Sequence, residues 1–342
     1  MVINSKLSQV FKPKIVQALE STFTLGNLEA PVTNSKKNAD KWAVLKQSQS
    51  ILAELKKVNV SGVSLANNHM LDYGTDGLMD TIKNLQENNI RFTGAGNNIR
   101  DALSPIELTD GGRKIRIYSL ATTLPLESAA SNGRPGIAPI GVKCTYYFDG
   151  VGMQEQPGTP PISHCFVNGP DIERIKRILR ANRKEDVTSI ITIHWGMPYQ
   201  YNLMDYQKEI AHALIDAGAD LIIGHHPHVL QQIERYKEKL IFYSLGNFIW
   251  EPNEKLMGIN TKWSYWPPQF GKWAMSQDSA IIEVVLNDGN VPQAKMTPVF
   301  LENGIPNMFE IDELAIHELL KNKEDFFPLL EVEVKKGKIT IL

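Results

Sequence analysis

The 342-residue sequence has no apolar run that approaches the ~20 residues needed to span a bilayer. Its opening, MVINSKLSQVFKPKI, lacks the apolar stretch of a secretory signal. The net charge is only −2, which gives no reason to expect nucleic acid or an anionic membrane surface as a partner. We therefore expect no membrane span in this chain, no nucleic-acid partner and a cytoplasmic location, or association with the cell surface if a further N-terminal segment belongs to the protein.

Cysteine is scarce, since only Cys144 and Cys165 occur, and two cysteines do not make a disulfide framework. They flank a stretch rich in proline and glycine, so one bridge that closes this stretch is an alternative. We favour two free thiols in a reducing compartment.

Short apolar runs alternate with helical patterns, which is typical of a largely parallel sheet covered by helices and predicts an α/β fold. The predicted strands are residues 22–25, 62–65, 114–120, 188–193, 221–223, 240–243 and 280–286. The predicted helices are residues 45–58, 76–88 and 205–217; the last two begin with an N-cap aspartate, and Gly218 ends the third. We expect a single domain over residues 1–342, with a peripheral extension after about residue 300 that has a helix near residues 314–320 and a short terminal strand.

Two segments interrupt this alternation, and we interpret both as loops of the same domain. Residues 144–170 are rich in proline and glycine. Residues 250–273 hold four of the six tryptophans and would form either a lid over a substrate or an irregular hydrophobic flap.

Polar clusters directly follow five of the predicted strands. They contain Asn27 and Glu29; Asn68 and His69; His194; His225, His226 and His228; and Asn247. Because ligands bind at the carboxyl ends of strands in open α/β sheets, we expect these side chains to converge at one edge, together with Asp72. Histidine, amide and carboxylate ligands without cysteine suit Mn, Fe or Zn, and either one or two ions would fit. The sequence has no GxxxxGK[ST] loop and no GxSxG elbow, so nothing in it indicates a phosphate-binding loop for nucleotides or a catalytic serine triad.

Five motifs together resemble the CapA family of capsule-synthesis and poly-γ-glutamate-associated proteins, which is built on the calcineurin-like metallophosphoesterase fold. They are GNLEAP (26–31), SLANNHMLDYG (64–74), ITIHWG (191–196), HALIDAGADLIIGHHPHVLQ (212–231) and FYSLGNF (242–248). The resemblance covers about residues 15–300 in the family's order. It implies a sandwich of two sheets with helices outside (αββα) and a metal site at the strand ends.

The resemblance also implies roles for individual residues. Asn27 stands where the superfamily has a metal-bridging aspartate, with Glu29 as the available carboxylate. Asn68 and His194 correspond to metal ligands. His69 corresponds to the proton-donating histidine, with Asp72 placed to orient it.

The register of the motif GHHPH is open. His226 and His228 keep the family's His-x-His spacing, whereas His225 keeps the position next to Gly224. We favour His226 and His228 as metal ligands, with His225 as the third candidate.

One departure from the family concerns the start of the fold. The family begins with a strand that ends in Gly-Asp and supplies the first metal-binding aspartate, and the 25 residues before Gly26 contain no such pattern. The first strand and one metal position are therefore either absent or encoded further upstream. We expect residues 1–12 to fill the slot beside the strand at residues 22–25, or the chain to aggregate through the bare strand edge.

The leading functional hypothesis is metal-dependent, phosphoesterase-like hydrolysis in capsule or poly-γ-glutamate metabolism, with His69 protonating the leaving oxygen. The substrate would be an anionic small molecule or a polyglutamate-like chain. Arg134 in SNGRPGIAP is the candidate for binding an anionic group of that substrate. The alternative is that Arg134 is an ordinary surface arginine. Two alternatives are a metal-assisted glutamyl epimerase on the same site and a non-catalytic scaffold with capsule-synthesis partners. His212 is expected beside the site rather than in it.

Overall fold

A computed structural model gives the structure of the chain, and it describes residues 11, 13–20, 23–41, 43–159, 161–249, 278–285, 293–302, 305–307, 332–335 and 338–341. The predicted features at residues 1–10, the tryptophan-rich segment 250–273 and the predicted helix near 314–320 lie outside these ranges. No helix in the described ranges is long and apolar enough to cross a membrane.

The described residues form strands and helices in alternation over the first 245 residues and mainly strands afterwards. The strands are β1 Thr24–Asn27, β2 Val60–Ser64, β3 Arg91–Thr93, β4 Ala95–Gly96, β5 Ile106–Asp110, β6 Arg113–Ala121, β7 Gly136–Ile137, β8 Val142–Tyr147, β9 Ile162–Val167, β10 Val187–His194, β11 Leu221–His225, β12 Ile233–Tyr236, β13 Lys239–Phe242, β14 Asp278–Val285, β15 Gln293–Glu302, β16 Ile305–Asn307, β17 Val332–Lys335 and β18 Lys338–Ile341. The helices are α1 Pro13–Ala18, α2 Ser50–Lys57, α3 Gly74–Glu87, α4 Ile99–Ala102, α5 Gly150–Glu155, α6 Gly169–Asn182 and α7 Asp205–Ala217, with a 3-10 turn at Leu126–Ser128.

Two sheets carry the parallel strands. In the first, β1, β2 and β3 are parallel neighbours in that order. The second has the order β12-β13-β11-β10-β6-β5, in which the four central strands are parallel and the two edge strands are antiparallel. Every residue of β10 is buried, in agreement with its high content of β-branched residues in VTSIITI.

The layers follow from which face each side chain packs on. Ile191 and Ile193 of β10 pack with Leu179 of α6 and Leu214 of α7, on the helix-covered face of the six-stranded sheet. The opposite face packs on an antiparallel sheet with the order β14-β15-β18-β17, to which β16 adds beside β15. Helices α2 and α3 cover the three-stranded sheet. The predicted α/β sandwich with helices outside is confirmed.

The helices begin at different residues from those predicted. Helix α2 starts at Ser50 rather than at residue 45, because the Leu45 N–H is used by the Asp72 carboxylate and Gln47 bridges to Val32. Helix α3 starts two residues before Asp76, and α7 includes Asp205 in its first turn, so neither aspartate is the N-cap. Gly218 ends α7 in the left-handed conformation, as predicted.

The prediction of free thiols is wrong, because Cys144 and Cys165 form a disulfide. The same segment, predicted to be a loop, contains a β-hairpin of β8 and β9 and the short helix α5. The hairpin register places the two cysteines directly opposite each other, which is what allows the bridge. Their sequence spacing alone could not reveal this register.

Candidate metal centre

The parallel strands place the predicted residues at one edge of the fold. Strand β1 ends at Asn27, β10 at His194 and β11 at His225, and Asn68 follows β2 within a few residues. His194 and His225 are direct neighbours in the register of β10 and β11. Strand pairing therefore explains the adjacency of His194 and His225, whereas Asn27 and Asn68 follow strands of the other parallel sheet.

Glu29, His194 and His226 form a buried group whose ligand atoms all lie within 4.8 Å of one another. His194 Nε2 lies 3.6 Å from Glu29 Oε1 and 3.0 Å from Asn68 Oδ1. His228 Nε2 lies 3.9 Å from the same Glu29 oxygen. Ligand atoms that share one ion at ~2.1 Å are about 3–4 Å from each other, so the three separations between 3.0 and 3.9 Å suit a common ion.

Several polar atoms at this site are buried without a hydrogen-bond partner among the described residues: Glu29 Oε1, His225 Nε2, and both ring nitrogens of His226. Each unpartnered buried polar atom costs about 1–3 kcal/mol. The lone pairs of Glu29 Oε1 and of one His226 nitrogen are of the kind that a divalent ion accepts, and a set of nitrogen and oxygen donors without sulfur is what Mn, Fe or Zn would use. The residues present therefore fit a metal ion.

Neighbouring amides fix the orientation of two of these ligands. Asn247 Oδ1 accepts a hydrogen bond from His228 Nδ1 at 2.7 Å, so the lone pair of His228 is on Nε2, the atom nearest Glu29. Asn27 Nδ2 donates to Glu29 Oε2 at 2.9 Å and leaves Oε1 unpartnered. Asn67 Nδ2 in turn donates to Asn27 Oδ1 at 3.2 Å. Asn27 thus contacts Glu29 and orients its carboxylate.

His225 contacts the site through His194, with the two Nδ1 atoms 2.7 Å apart. If His194 uses Nε2 for a metal, its Nδ1–H donates to His225 Nδ1, which fixes the His194 ring. His226 and His228 instead turn towards Glu29 and each other, with ring centroids 5.8 Å apart. This placement is compatible with His226 and His228 as ligands and with His225 as the residue that orients His194.

The backbone of the GHHPH segment is constrained by close packing at Gly224 and by positive φ angles at two of its histidines. His226 and His228 have φ values of 104° and 58°, which non-glycine residues rarely adopt. At Gly224 an added Cβ would lie 2.0 Å from Tyr243 O and 2.4 Å from Trp195 Nε1. Only glycine lets β11 approach this closely, and the strained turn that follows aims the two histidines into the site.

Burial and mutual charge set the ionisation of the site. Burial lowers the pKa of His194 well below its usual range, lowers that of His225 to about 4, and lowers that of His226 to about 3, with neighbouring histidines adding to the effect. Burial and other histidines also lower the pKa of His228, against the opposing effect of Glu29. Burial would raise the pKa of Glu29, but the surrounding histidines, His228 foremost, outweigh it and lower that pKa to about 2. At neutral pH the imidazoles are neutral and the carboxylate is charged, which is the state that binds a metal.

His69 and Asp72 form a hydrogen-bonded pair next to this group. His69 Nδ1 lies 2.7 Å from Asp72 Oδ2, so Nδ1–H donates to the carboxylate and Nε2 remains for other contacts. Asp72 is fully buried, and the Leu45 N–H and the Lys41 ammonium also contact it. Lys41 Nζ further donates to Asn68 O at 2.7 Å, which ties the pair to the segment that carries Asn68. No pattern in the sequence marks Lys41 as a residue of this site.

Tyr199 is a second residue that the sequence analysis did not identify. Its ring stacks on His228 with centroids 5.5 Å apart, and burial together with Glu29 raises the pKa of its hydroxyl. Its φ of 62° and the hydrogen bond from its N–H to Pro227 O hold it in place. A lone tyrosine in the loop after β10 gives no pattern that sequence analysis could have used.

The two remaining candidates lie in other contacts. The Arg134 guanidinium is exposed and donates to Ala129 O at 3.2 and 2.8 Å. His212 Nε2 lies 2.8 Å from Glu234 Oε1 and its ring stacks on Tyr236. None of these described contacts involves a residue of the metal centre.

The chain is similar to known bacterial proteins over most of its length. A family model described as bacterial capsule synthesis protein PGA_cap matches residues 5–252. The PGA biosynthesis protein CapA of Bacillus subtilis (strain 168) is 30% identical over 326 residues, which is 94% of this chain and 72% of that protein. The capsule biosynthesis protein CapA of Bacillus anthracis is 29% identical over 293 residues, which is 84% of this chain and 60% of that protein.

A Mycobacterium tuberculosis (strain CDC 1551 / Oshkosh) relative named "Probable polyglutamine synthesis accessory protein MT0602" is 29% identical over 239 residues, covering 68% of this chain and 57% of its own length. The chain thus spans less than two thirds of the second and third of these relatives. The chain belongs to the bacterial capsule synthesis protein family PGA_cap, the metallophosphoesterase-like group that includes the CapA proteins of capsule and polyglutamate synthesis.

Proposed function

We propose that this protein is a metal-dependent hydrolase of phosphoesterase type that acts in capsule or poly-γ-glutamate metabolism. The observation that carries the proposal is the set of buried, unpartnered lone pairs on Glu29 and His226 beside the paired His194 and Asn68. A group of this kind is costly without an ion and suited to one. The family membership supports the capsule and polyglutamate context.

Glu29, Asn68, His194, His226 and His228 would hold the ion. A bound divalent ion of the Mn, Fe or Zn type would supply Lewis acidity at the electrophile and lower the pKa of a water molecule. We propose one ion between Glu29, His194 and His226 as the minimum, with a second ion as the alternative.

The protein groups around the ion have separate tasks. Asn247 and His225 keep the lone pairs of His228 and His194 aimed at the site. His69, with Nδ1–H held by Asp72, delivers a proton from Nε2 to the leaving oxygen. Arg134 remains our candidate for binding an anionic group of the substrate, at the loop that carries Ala129.

The test separates the ligands from the proton donor. The purified chain is reconstituted with Mn, Fe or Zn, and metal content is measured by mass spectrometry for the wild type and for His194→Ala, His226→Ala and His69→Ala. His164→Ala is the matched control, because His164 is exposed on the hairpin. Activity is followed on bis-p-nitrophenyl phosphate and on a γ-glutamyl peptide that is scored for cleavage and for D-residues.

We expect His194→Ala and His226→Ala to lose metal first and activity with it. His69→Ala should retain metal while turnover falls by about 10² to 10⁴. Equal metal loss in all three variants would refute this division of roles. D-residues without cleavage would favour the epimerase, and a wild type that binds none of the three metals would favour the scaffold with capsule-synthesis partners.

A further inference from the structure

A cleft of about 410 Å³ lies at the carboxyl end of β6, between the segment 122–132 and the first turns of α6. This volume is within the ~300–1,000 Å³ typical of ligand sites. None of the residues assigned above to the metal centre lines it. The cleft is therefore a separate feature that the proposed chemistry does not use.

The cleft and the metal centre lie on opposite sides of one strand end. Thr122 lines the cleft, and its N–H donates to the His194 carbonyl oxygen at 2.8 Å. Side chains alternate along β10, so Ile193 and Trp195 pack on the helix-covered face while His194 faces Asn68. Helix α6, which supplies part of the cleft lining, packs on the same face of the sheet as Ile193 and Trp195. A ligand that reaches both places must be an extended chain that passes over the edge of the sheet.

Arg174 is the only cationic residue among the described residues that line the cleft, so it is the group there that would attract an anionic ligand. Among the described contacts, one of its N–H groups is used, from Nη1 to Asp171 Oδ1 at 3.1 Å. The Asp171 carboxylate is also held by the Gly141 N–H at 3.0 Å, and it lies in the first turn of α6, where the helix dipole balances its charge. The side chain of Arg174 is 37% exposed, so donors remain for a ligand.

The rest of the lining is mixed. Leu124, Leu126 and Val142 supply apolar surface, and Ser131 and Asn132 supply polar groups. Such a wall suits a chain that carries methylene groups between regularly spaced carboxylates and amides. An arginine fork binds a carboxylate in two parallel hydrogen bonds.

We propose that this cleft is a binding subsite for an anionic, carboxylate-bearing chain of the polyglutamate type, anchored by Arg174, while a neighbouring part of the same chain reaches the metal centre. The identity of the chain rests on the proposed function, whereas its binding does not require the metal. The cleft would then select a polymer over a small anionic substrate.

The experiment measures fluorescence anisotropy of a labelled, short γ-linked oligoglutamate with the metal-free full chain. Arg174→Gln is compared with Arg177→Gln, which changes the net charge equally on the same helix but does not line the cleft. Leu126→Glu is the second variant, because Leu126 lines the cleft, is 88% exposed and can be replaced without disturbing the core. Thermal unfolding of each variant verifies that it is folded.

We expect Arg174→Gln to weaken binding about tenfold or more, as loss of charge-assisted hydrogen bonds implies. Leu126→Glu should also weaken it, and Arg177→Gln should leave it within about twofold of wild type. Equal effects of Arg174→Gln and Arg177→Gln, or no binding to the wild type, would overturn the subsite.

The subsite and the proposed hydrolase fail in different ways. Binding that depends on Arg174, in a protein without metal-dependent activity, would contradict the hydrolase and leave the subsite standing. Activity on the γ-glutamyl peptide with no dependence of oligomer binding on Arg174 would contradict the subsite alone. His194→Ala should retain oligomer binding, because the cleft does not share its side chain.

Discussion

Replacement of Gly224 by alanine tests whether the close approach of β11 to its neighbours holds the histidine turn in place. An alanine Cβ would lie 2.0 Å from Tyr243 O and 2.4 Å from Trp195 Nε1, and no real Cβ tolerates such contacts. Those two atoms are hydrogen-bonded to each other at 2.8 Å, and both side chains are buried. The substitution must therefore break this bond or displace the strand.

The expected cost combines two effects. A broken buried hydrogen bond costs about 1–3 kcal/mol, and overpacking of a closely packed core adds about 1–3 kcal/mol. We expect a loss of about 2–6 kcal/mol in the free energy of unfolding, together with reduced metal binding because His225 and His226 follow directly in the chain.

Gly26→Ala is the matched control. Gly26 also lies at the end of a strand beside a site residue, but an added Cβ there has nothing within 4 Å and its φ is not positive. The assay is urea unfolding of the metal-free protein followed by measurement of metal content after reconstitution. If Gly224→Ala were as stable and as metal-rich as Gly26→Ala, the packing explanation for the GHHPH turn would be refuted.

Three further predictions concern the site and the hairpin. Asn247→Leu removes the acceptor that fixes the His228 ring, and we expect metal affinity, measured by competition with a chelator, to fall about 10- to 100-fold while the fold is retained. Burial lowers the pKa values of the four site histidines, so below pH ~6.5 the unfolded chain binds protons that the folded chain does not. The free energy of unfolding of the metal-free protein, measured by urea unfolding, should therefore fall from pH 7 to pH 5. In His226→Leu the change of this free energy with pH should be smaller by up to about 1.4 kcal/mol per pH unit, and an unchanged pH dependence would contradict the assignment. Cys144→Ser should leave metal content unchanged but open the hairpin, since the disulfide closes a loop of 21 residues and is worth about 3 kcal/mol. Proteolysis within residues 148–161 should then be faster than in wild type. Equal rates of proteolysis would argue against a stabilising role of the disulfide.

The strand ends were predictable because the sequence pattern contains their cause. A buried parallel strand appears as a short run rich in β-branched residues, as in β10, and the polar cluster after the run marks the edge where ligands bind. Asn68, His194 and His226 lie at that edge for this reason. Strand pairing places His194 beside the segment that carries His226, and Asn68, more than a hundred residues earlier in the chain, meets His194 from the end of a strand in the other parallel sheet.

The residues that were not predicted depend on contacts that have no local pattern. Lys41 reaches Asp72 across 31 residues of chain, through a segment with no regular element at Lys41. Tyr199 depends on a left-handed backbone angle in an irregular loop. The proline and glycine content of residues 144–170 indicates a loop although the aromatic run TYYF favours a strand, and the disulfide depends on a register that only the folded hairpin defines.

Several unfavourable features of this fold fall together at the GHHPH turn. The GHHPH turn holds two non-glycine residues at positive φ, each costing about 1–3 kcal/mol, and the unpartnered lone pairs of Glu29 and His226 lie beside it. Elsewhere in the described residues, buried polar groups such as Gln207 and Gln231 are hydrogen-bonded to each other or to the backbone. A scaffold whose role needs only its surface has no use for such a cost in its interior, whereas an ion that binds the folded state alone would offset it. The strained turn and the unpartnered lone pairs at the candidate metal centre are therefore the strongest argument for the proposal that this edge of the sandwich performs chemistry.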